Sequence, residues 1–200
     1  MLEWLFAEAF TLWGSPTTWL EVAAFVLALA MVGCNIREIH WGWPLAIVSS
    51  LMYFALFWRH RLYGDASLQV FFAVVAFWGW FQWLRGRRGD GSALAVMRLG
   101  RAGRIGTLAA CALLWPATGL FLKHFTDTDV PWWDAFPTAV SVVGQFLLGR
   151  KFIENWLLWI AVNAVGVGLF AYKGLWLTVI LYALFAVLSV VGWRAWRRQL

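Results

Sequence analysis

Apolar residues occupy this chain in seven long blocks bounded by charge, glycine or proline, without the polar alternation of a half-buried sheet. The blocks fall at Trp19–Ile36, Trp43–Trp58, Ala66–Leu84, Ile105–Leu122, Pro131–Leu148, Ile153–Tyr172 and Leu175–Trp193. A bilayer core of about 30 Å takes about 20 mainly apolar residues per helix. The pattern therefore predicts seven transmembrane helices, and 200 residues leave no room for a separate soluble domain. Ahead of the first block, residues 1–18 lack the basic region and small-residue cleavage site of a signal peptide. They are expected to form an amphipathic helix in the interface, with Trp4, Phe6, Phe10 and Trp13 toward lipid and Glu3 and Glu8 toward water.

Composition agrees with the pattern. Hydrophobic residues make up 62% of the chain and charged residues 13%, and mean hydropathy is +0.71; a soluble domain carries roughly 25% charged residues. The net charge of +6 does not point to nucleic acid, because the arginines lie in loops between apolar runs and build no continuous basic face. They report orientation instead. With the Gly- and Arg-rich stretch Arg85–Arg104 inside, the inner side gathers Arg85, Arg87, Arg88, Arg98, Arg101 and Arg104. Arg37, Arg150, Lys151, Arg194, Arg197 and Arg198 join them, against Arg59, Arg61, Lys123 and Lys173 outside. That division, 12 to 4, sets the N-terminus outside and the C-terminus in the cytoplasm. Trp4, Trp13, Trp19, Trp132, Trp133, Trp193 and Trp196 fall near span ends and read as interfacial anchors in contact with lipid. Cys34 and Cys111 lie in apolar stretches without a CxxC partner, and His40, His60 and His124 are scattered. No disulfide, metal site or cofactor is expected.

An internal repeat organises the spans. A shift of 113 residues lays Trp19 on Trp132, Arg37 on Arg150, Trp43 on Trp156, Phe57 on Phe170, Leu62 on Leu175 and Phe72 on Phe185. It ends with Gly79-Trp80-Phe81-Gln82-Trp83 on Gly192-Trp193-Arg194-Ala195-Trp196. Each repeat is three spans, and three spans end on the opposite side from where they began. The intervening span restores the direction, so the expected architecture is all-α, 3+1+3, with parallel repeats. Its parts are residues 1–18, a first triplet over 19–85, a basic cytoplasmic linker and connecting span over 86–130, and a second triplet over 131–200. Parallel repeats are a transporter arrangement, with the solute held between the halves near the bilayer midplane.

Leu62-Tyr63-Gly64-Asp65, Gly79-Trp80-Phe81-Gln82-Trp83 and the run from Asn155 through Trp156 and Trp159 to Asn163 resemble one known family. It is that of the PnuC-type nicotinamide riboside transporters, bacterial relatives of the SWEET sugar carriers, and the resemblance covers roughly Trp19 to Arg198. The resemblance implies facilitated diffusion of nicotinamide riboside across a bacterial inner membrane, trapping by a cytoplasmic kinase, and a homotrimer. Carriers of thiamine, riboflavin or a sugar on the same architecture are the alternative. An enzyme is disfavoured, because no His/Asp/Glu constellation, GxSxG, HExxH or phosphate loop lies on the spans.

Nicotinamide riboside has a pyridinium cation, an amide and ribose hydroxyls, so its pocket calls for aromatic faces and neutral hydrogen-bonding side chains. At 100° per residue Trp156, Trp159, Asn163 and Phe170 share one stripe, with Asn163 near mid-span. The repeat sets Trp43, Ala46, Ser50 and Phe57 at the equivalent places. Gln69, Gln145, Tyr53, Asn155 and Tyr182 complete the candidate substrate-binding set, interhelical hydrogen bonding being the competing role for each. No ionisable residue falls near the centre of a span, and Glu21, Asp134 and Glu154 lie at span ends, where capping is expected. Proton coupling is therefore not expected.

Overall fold

The computed structural model describes residues 3–59 and 63–200, without the side chains of Glu3, Ser15, Leu56, Phe57, Arg59 and residues 63–68. The outer-side arginines Arg59 and Arg61, the Phe57 match and the Leu62–Asp65 motif lie wholly or in their side chains outside that set, as does His60.

The segment before the first span is not the interfacial helix expected over residues 1–18. It is a 3-10 turn, Glu3–Phe6, followed by an antiparallel hairpin of β1 (Glu8–Leu12) and β2 (Ser15–Thr18). Local chemistry explains the difference. Trp13 and Gly14 both hold positive φ, 47° and 86°, the backbone of a two-residue hairpin turn. Pro16 lacks the N–H that a helix interior needs, and Thr17 and Thr18 are β-branched. Trp4 and Trp13 remain exposed, and Trp13 meets Trp176 edge-on at 5.4 Å.

Among the described residues seven helices follow: α1 (Trp19–Ile36), α2 (Gly42–Arg59), α3 (Tyr63–Arg85), α4 (Arg101–Phe125), α5 (Pro131–Gly149), α6 (Asn155–Tyr172) and α7 (Trp176–Arg197). Thr18 starts α1 through a capping box, its hydroxyl accepting from the Glu21 N–H while the Glu21 carboxylate accepts from the Thr18 N–H at 2.7 Å. Among the described residues four helices, α1, α4, α6 and α7, are long and apolar enough by length and composition to cross a membrane. α5 carries Asp134, Thr138, Ser141, Gln145 and two prolines, yet it is extensively buried, from Ala135 to Gly149. It is a helix covered by protein on most sides.

The principal contacts join α1 to α2, α2 to α3, α3 to α5, α5 to α6, α6 to α7 and α7 back to α1. Six helices thus close a ring, and α4 stands outside it against α5. Gly119 is the buried residue of α4, and the Trp132 ring lies where its Cβ would stand.

One end of the ring gathers the ends of α1, α3, α5 and α7 and the starts of α2 and α6; it also holds most of the basic residues. There Trp43, Ala46, Ile47, Ala76, Leu148, Ile153, Trp156 and Trp196 form the core. Trp196, read from sequence as an interfacial anchor, is fully buried in it. Its indole N–H donates to the Ile36 carbonyl at 3.2 Å, so a position near a span end faces the neighbouring helix rather than lipid.

Contacts recur at the repeat offset. Trp43 meets Trp83 edge-on at 5.5 Å and 85°, and Trp156 meets Trp196 at 5.4 Å and 86°. Trp83 donates to the Leu148 carbonyl at 3.1 Å as Trp196 donates to Ile36, each reaching across to the other triplet. Trp83 and Trp196 touch at 6.4 Å, joining the two pairs.

Candidate functional site

Seven residues of α-helix rise about 10.5 Å, so Trp156, Asn163 and Phe170 mark three levels through the ring. The first level is the tryptophan core. Trp43 packs on Gly79 and Trp156 on Gly192; a Cβ at either glycine would stand 2.3 Å or 2.7 Å from the indole. Both glycines sit in the GlyTrp motif that closes α3 and α7, so each motif supplies the seat for a tryptophan of its neighbour. The indole N–H groups of Trp43 and Trp156 are buried and have no hydrogen-bond partner among the described residues, and neither do the amide oxygens of Asn155 and Asn35. Two donors and two acceptors without partners in one apolar core are costly to keep. The asparagines also exchange places across the repeat: Asn35 presses its Oδ1 on Gly42, the position equivalent to Asn155. Asn155 Nδ2 donates to the Phe152 carbonyl at 2.6 Å.

At the second level Asn163 is buried, and its Nδ2 donates to Ser189 Oγ at 3.2 Å. Ser189 Oγ in turn donates to the Phe185 carbonyl at 2.7 Å. The amide thus ties α6 to α7. Ser50, its equivalent on α2, is half-buried. Trp159 lies against Gly144 of α5, where a Cβ would stand 3.4 Å from the indole, next to the half-buried Gln145.

The third level is unequal between triplets. Tyr182 seats its ring on Gly166 and meets Phe170 at 4.8 Å and Phe185 at 6.0 Å. In the first triplet the equivalent pair is reversed in size, with Tyr53 in place of Gly166 and Gln69 in place of Tyr182. Tyr53 comes within electrostatic reach of Tyr182 and of Glu21 at the start of α1. The structure thus distributes the ten predicted residues over the three levels rather than in one cluster.

Two grooves of about 450 and 410 Å³ are visible, one lined by Trp4, Trp19 and Val26, the other by Phe77, Phe81 and Leu84. Both are apolar and lie on the outside of the ring; neither is lined by a predicted site residue. Sequence reasoning passed over Glu38, Lys151, Trp83 and Ser189. For the first two a signal existed, since they stand one repeat apart, and Lys151 Nζ donates to Glu38 Oε2 at 2.8 Å. Lys151 also lies 4.8 Å over the Trp83 ring.

Comparison with known proteins adds an independent line. A family model described as nicotinamide mononucleotide transporter matches residues 18–198. The chain is similar to the riboflavin/roseoflavin transporter RibM of Streptomyces davaonensis, 31% identical over 98% of this chain and 92% of that protein. It is also similar to the nicotinamide riboside transporter PnuC of Escherichia coli, 24% identical over 92% of this chain and 87% of that one. The crystal structure of a vitamin B3 transporter, PnuC, superposes with a TM-score of 0.73 at 22% identity, covering 90% of this chain and 81% of that chain. That likeness shows a shared fold.

Proposed function

The chain belongs to the nicotinamide mononucleotide transporter family, and we propose that it is a passive membrane carrier of nicotinamide riboside. The observation that carries this reading is the pair of tryptophans one repeat apart, each seated on a glycine of the next helix and each with its indole N–H buried and unpaired. Two matched halves around one axis suit rocking about a central solute. Unpaired donors and amide oxygens suit a hydroxyl-rich guest, and the tryptophan faces suit its pyridinium cation, a contact of about 0.5–2 kcal/mol.

In this reading all seven helices cross the membrane as 3+1+3 parallel repeats, α2, α3 and α5 crossing beside the apolar α1, α6 and α7 with which they share the ring, and α4 crossing outside it. The basic end is cytoplasmic by the distribution of arginines and lysines, the membrane is a bacterial inner membrane, and the assembly is a homotrimer. Solute enters at the Tyr53 and Tyr182 level, is read by Asn163, Trp159, Gln145, Gln69 and Ser50, and leaves past Trp43, Trp156 and Asn155. Because ionisable side chains lie at helix ends, movement follows the solute's own gradient.

A second reading, riboflavin as the solute, is favoured by the greater identity to RibM, 31% against 24% for the Escherichia coli PnuC. Calorimetric titration of purified protein with nicotinamide riboside, nicotinamide, thiamine, riboflavin and glucose separates the two. Heat from nicotinamide riboside is expected; heat from riboflavin alone transfers the assignment to the second reading.

A further inference from the structure

The stretch between α3 and α4 is not an open linker. Leu94 and Val96 are 8% and 5% exposed, and Val96 belongs to the tryptophan core. Met97 pairs with Phe152 as a parallel bridge: its N–H donates to the Lys151 carbonyl at 3.0 Å, and its carbonyl accepts from the Ile153 N–H at 2.9 Å. Leu99 N–H donates to both carboxylate oxygens of Glu154, at 3.2 and 3.1 Å. Glu154 also accepts from Arg104 Nε at 3.2 Å, and Arg88 Nη2 donates to the Val96 carbonyl at 3.1 Å.

The corner gripped by this segment, Lys151–Glu154, belongs to the second triplet. The core entered by Val96 draws Trp43, Ala46, Ile47 and Ala76 from the first. One short segment therefore ties together the two halves that must move apart if solute is to leave between them. The tie is one-sided. At the equivalent corner of the first triplet, 113 residues earlier, Ile39 and Trp41 are 40% and 60% exposed.

Resting on the carrier reading above, we propose that residues 94–99 are a strap that closes the basic mouth of the path and must detach from the α5–α6 corner during each transport cycle. Its make-up suits release. It enters the core with a leucine and a valine, smaller than the tryptophans around them, and otherwise holds on by backbone hydrogen bonds and one carboxylate at the rim. Lid segments of this kind open on the microsecond to millisecond scale and frequently set turnover.

A disulfide across the bridge tests the strap. Met97→Cys with Phe152→Cys, in a background of Cys34→Ala and Cys111→Ala, puts two thiols at directly paired positions, within the roughly 5.5 Å Cα separation that a disulfide accepts. Liposome uptake by the oxidised protein is expected to fall about tenfold or more and to recover on reduction, with binding affinity in detergent within about twofold. Equal uptake in the oxidised and reduced forms overturns the strap. Absence of uptake and binding of both nicotinamide riboside and riboflavin in the reduced form overturns the carrier reading instead. Glu154→Gln gives a readout that needs no solute: amide exchange at Met97 and Leu99 should quicken about tenfold relative to the parent. Unchanged exchange there removes Glu154 as the anchor and the strap with it.

Discussion

Glu38 and Lys151 occupy the same position in the two repeats and form an ion pair with each other, Nζ to Oε2 at 2.8 Å. Both have φ of 56°, so the two corners share one backbone conformation as well as one contact. A side chain that meets its own counterpart in this way lies close to the axis relating the halves. Both partners are largely shielded, the Lys151 side chain 11% and the Glu38 side chain 20% exposed, and the Trp83 ring lies under the ammonium.

Breaking the pair from one side should be costly. Glu38→Gln leaves the Lys151 ammonium shielded and without its carboxylate, and thermal unfolding in detergent is expected to register a loss of about 2 kcal/mol. Exchanging the charges, Glu38→Lys with Lys151→Glu, should recover most of that loss because the two backbones match. A double variant no more stable than the single one would show that surroundings, rather than the pair, set the preference.

The glycine seats make a sharper contrast. A Cβ at Gly79 or Gly192 would meet a buried indole at 2.3 or 2.7 Å, whereas one at Gly168 meets nothing within 4 Å. Gly79→Ala and Gly192→Ala should each lose about 1–3 kcal/mol through overpacking. Gly168→Ala on the exposed face of α6 should be neutral or gain up to about 1 kcal/mol from helix propensity. Melting temperatures of the three variants, measured side by side, decide this.

Asn163 and Ser189 can be separated by what each loses. Asn163→Leu should weaken solute binding about tenfold or more, since it removes the mid-span amide, while Ser189→Ala removes a positioning partner and should cost only a few-fold. If Asn163 serves only to tie α6 to α7, both variants lose about 0.6 kcal/mol of stability and neither loses affinity. Titration calorimetry beside thermal melts distinguishes the outcomes.

Charge on the solute gives a prediction about energetics. Nicotinamide riboside is a cation, so passive passage follows the membrane potential at about 2.3 kcal/mol per 100 mV, or roughly a hundredfold accumulation at 120 mV inside negative. Riboflavin is neutral and should equilibrate. A pH gradient of either sign should leave uptake by proteoliposomes clamped at zero potential unchanged; accumulation driven by acid outside would contradict the absence of proton coupling.

The helices were readable in advance because uninterrupted apolar blocks carry their own length signal, and α1 and α6 begin or end within a few residues of the expected bounds. The repeat reading rests on tryptophans and glycines coinciding at one offset, and the edge-on pairs Trp43–Trp83 and Trp156–Trp196 recur at that offset. The same signal located Gly79 and Gly192 without showing that they seat Trp43 and Trp156. Trp196 misled, since a tryptophan near the end of a span looks alike whether it meets lipid or a neighbouring helix; only assembly of the triplets separates the cases. Leu94 and Val96 were hidden among arginines and glycines, two apolar residues without a period. The N-terminal hairpin was hidden because Trp4, Phe6, Phe10 and Trp13 also satisfy a helical spacing, which Gly14 and Pro16 override locally.

The isolation of α4 has a consequence in parity. Copying a unit with an odd number of crossings and joining the copies end to end turns the second upside down, which would strand Glu38 and Lys151 on opposite faces, about 30 Å apart. In the proposed 3+1+3 arrangement, α4 as one additional crossing cancels the flip, whatever its side chains. A helix whose task is to be counted can have an unremarkable surface, and α4, touching the ring chiefly through α5, fits that task.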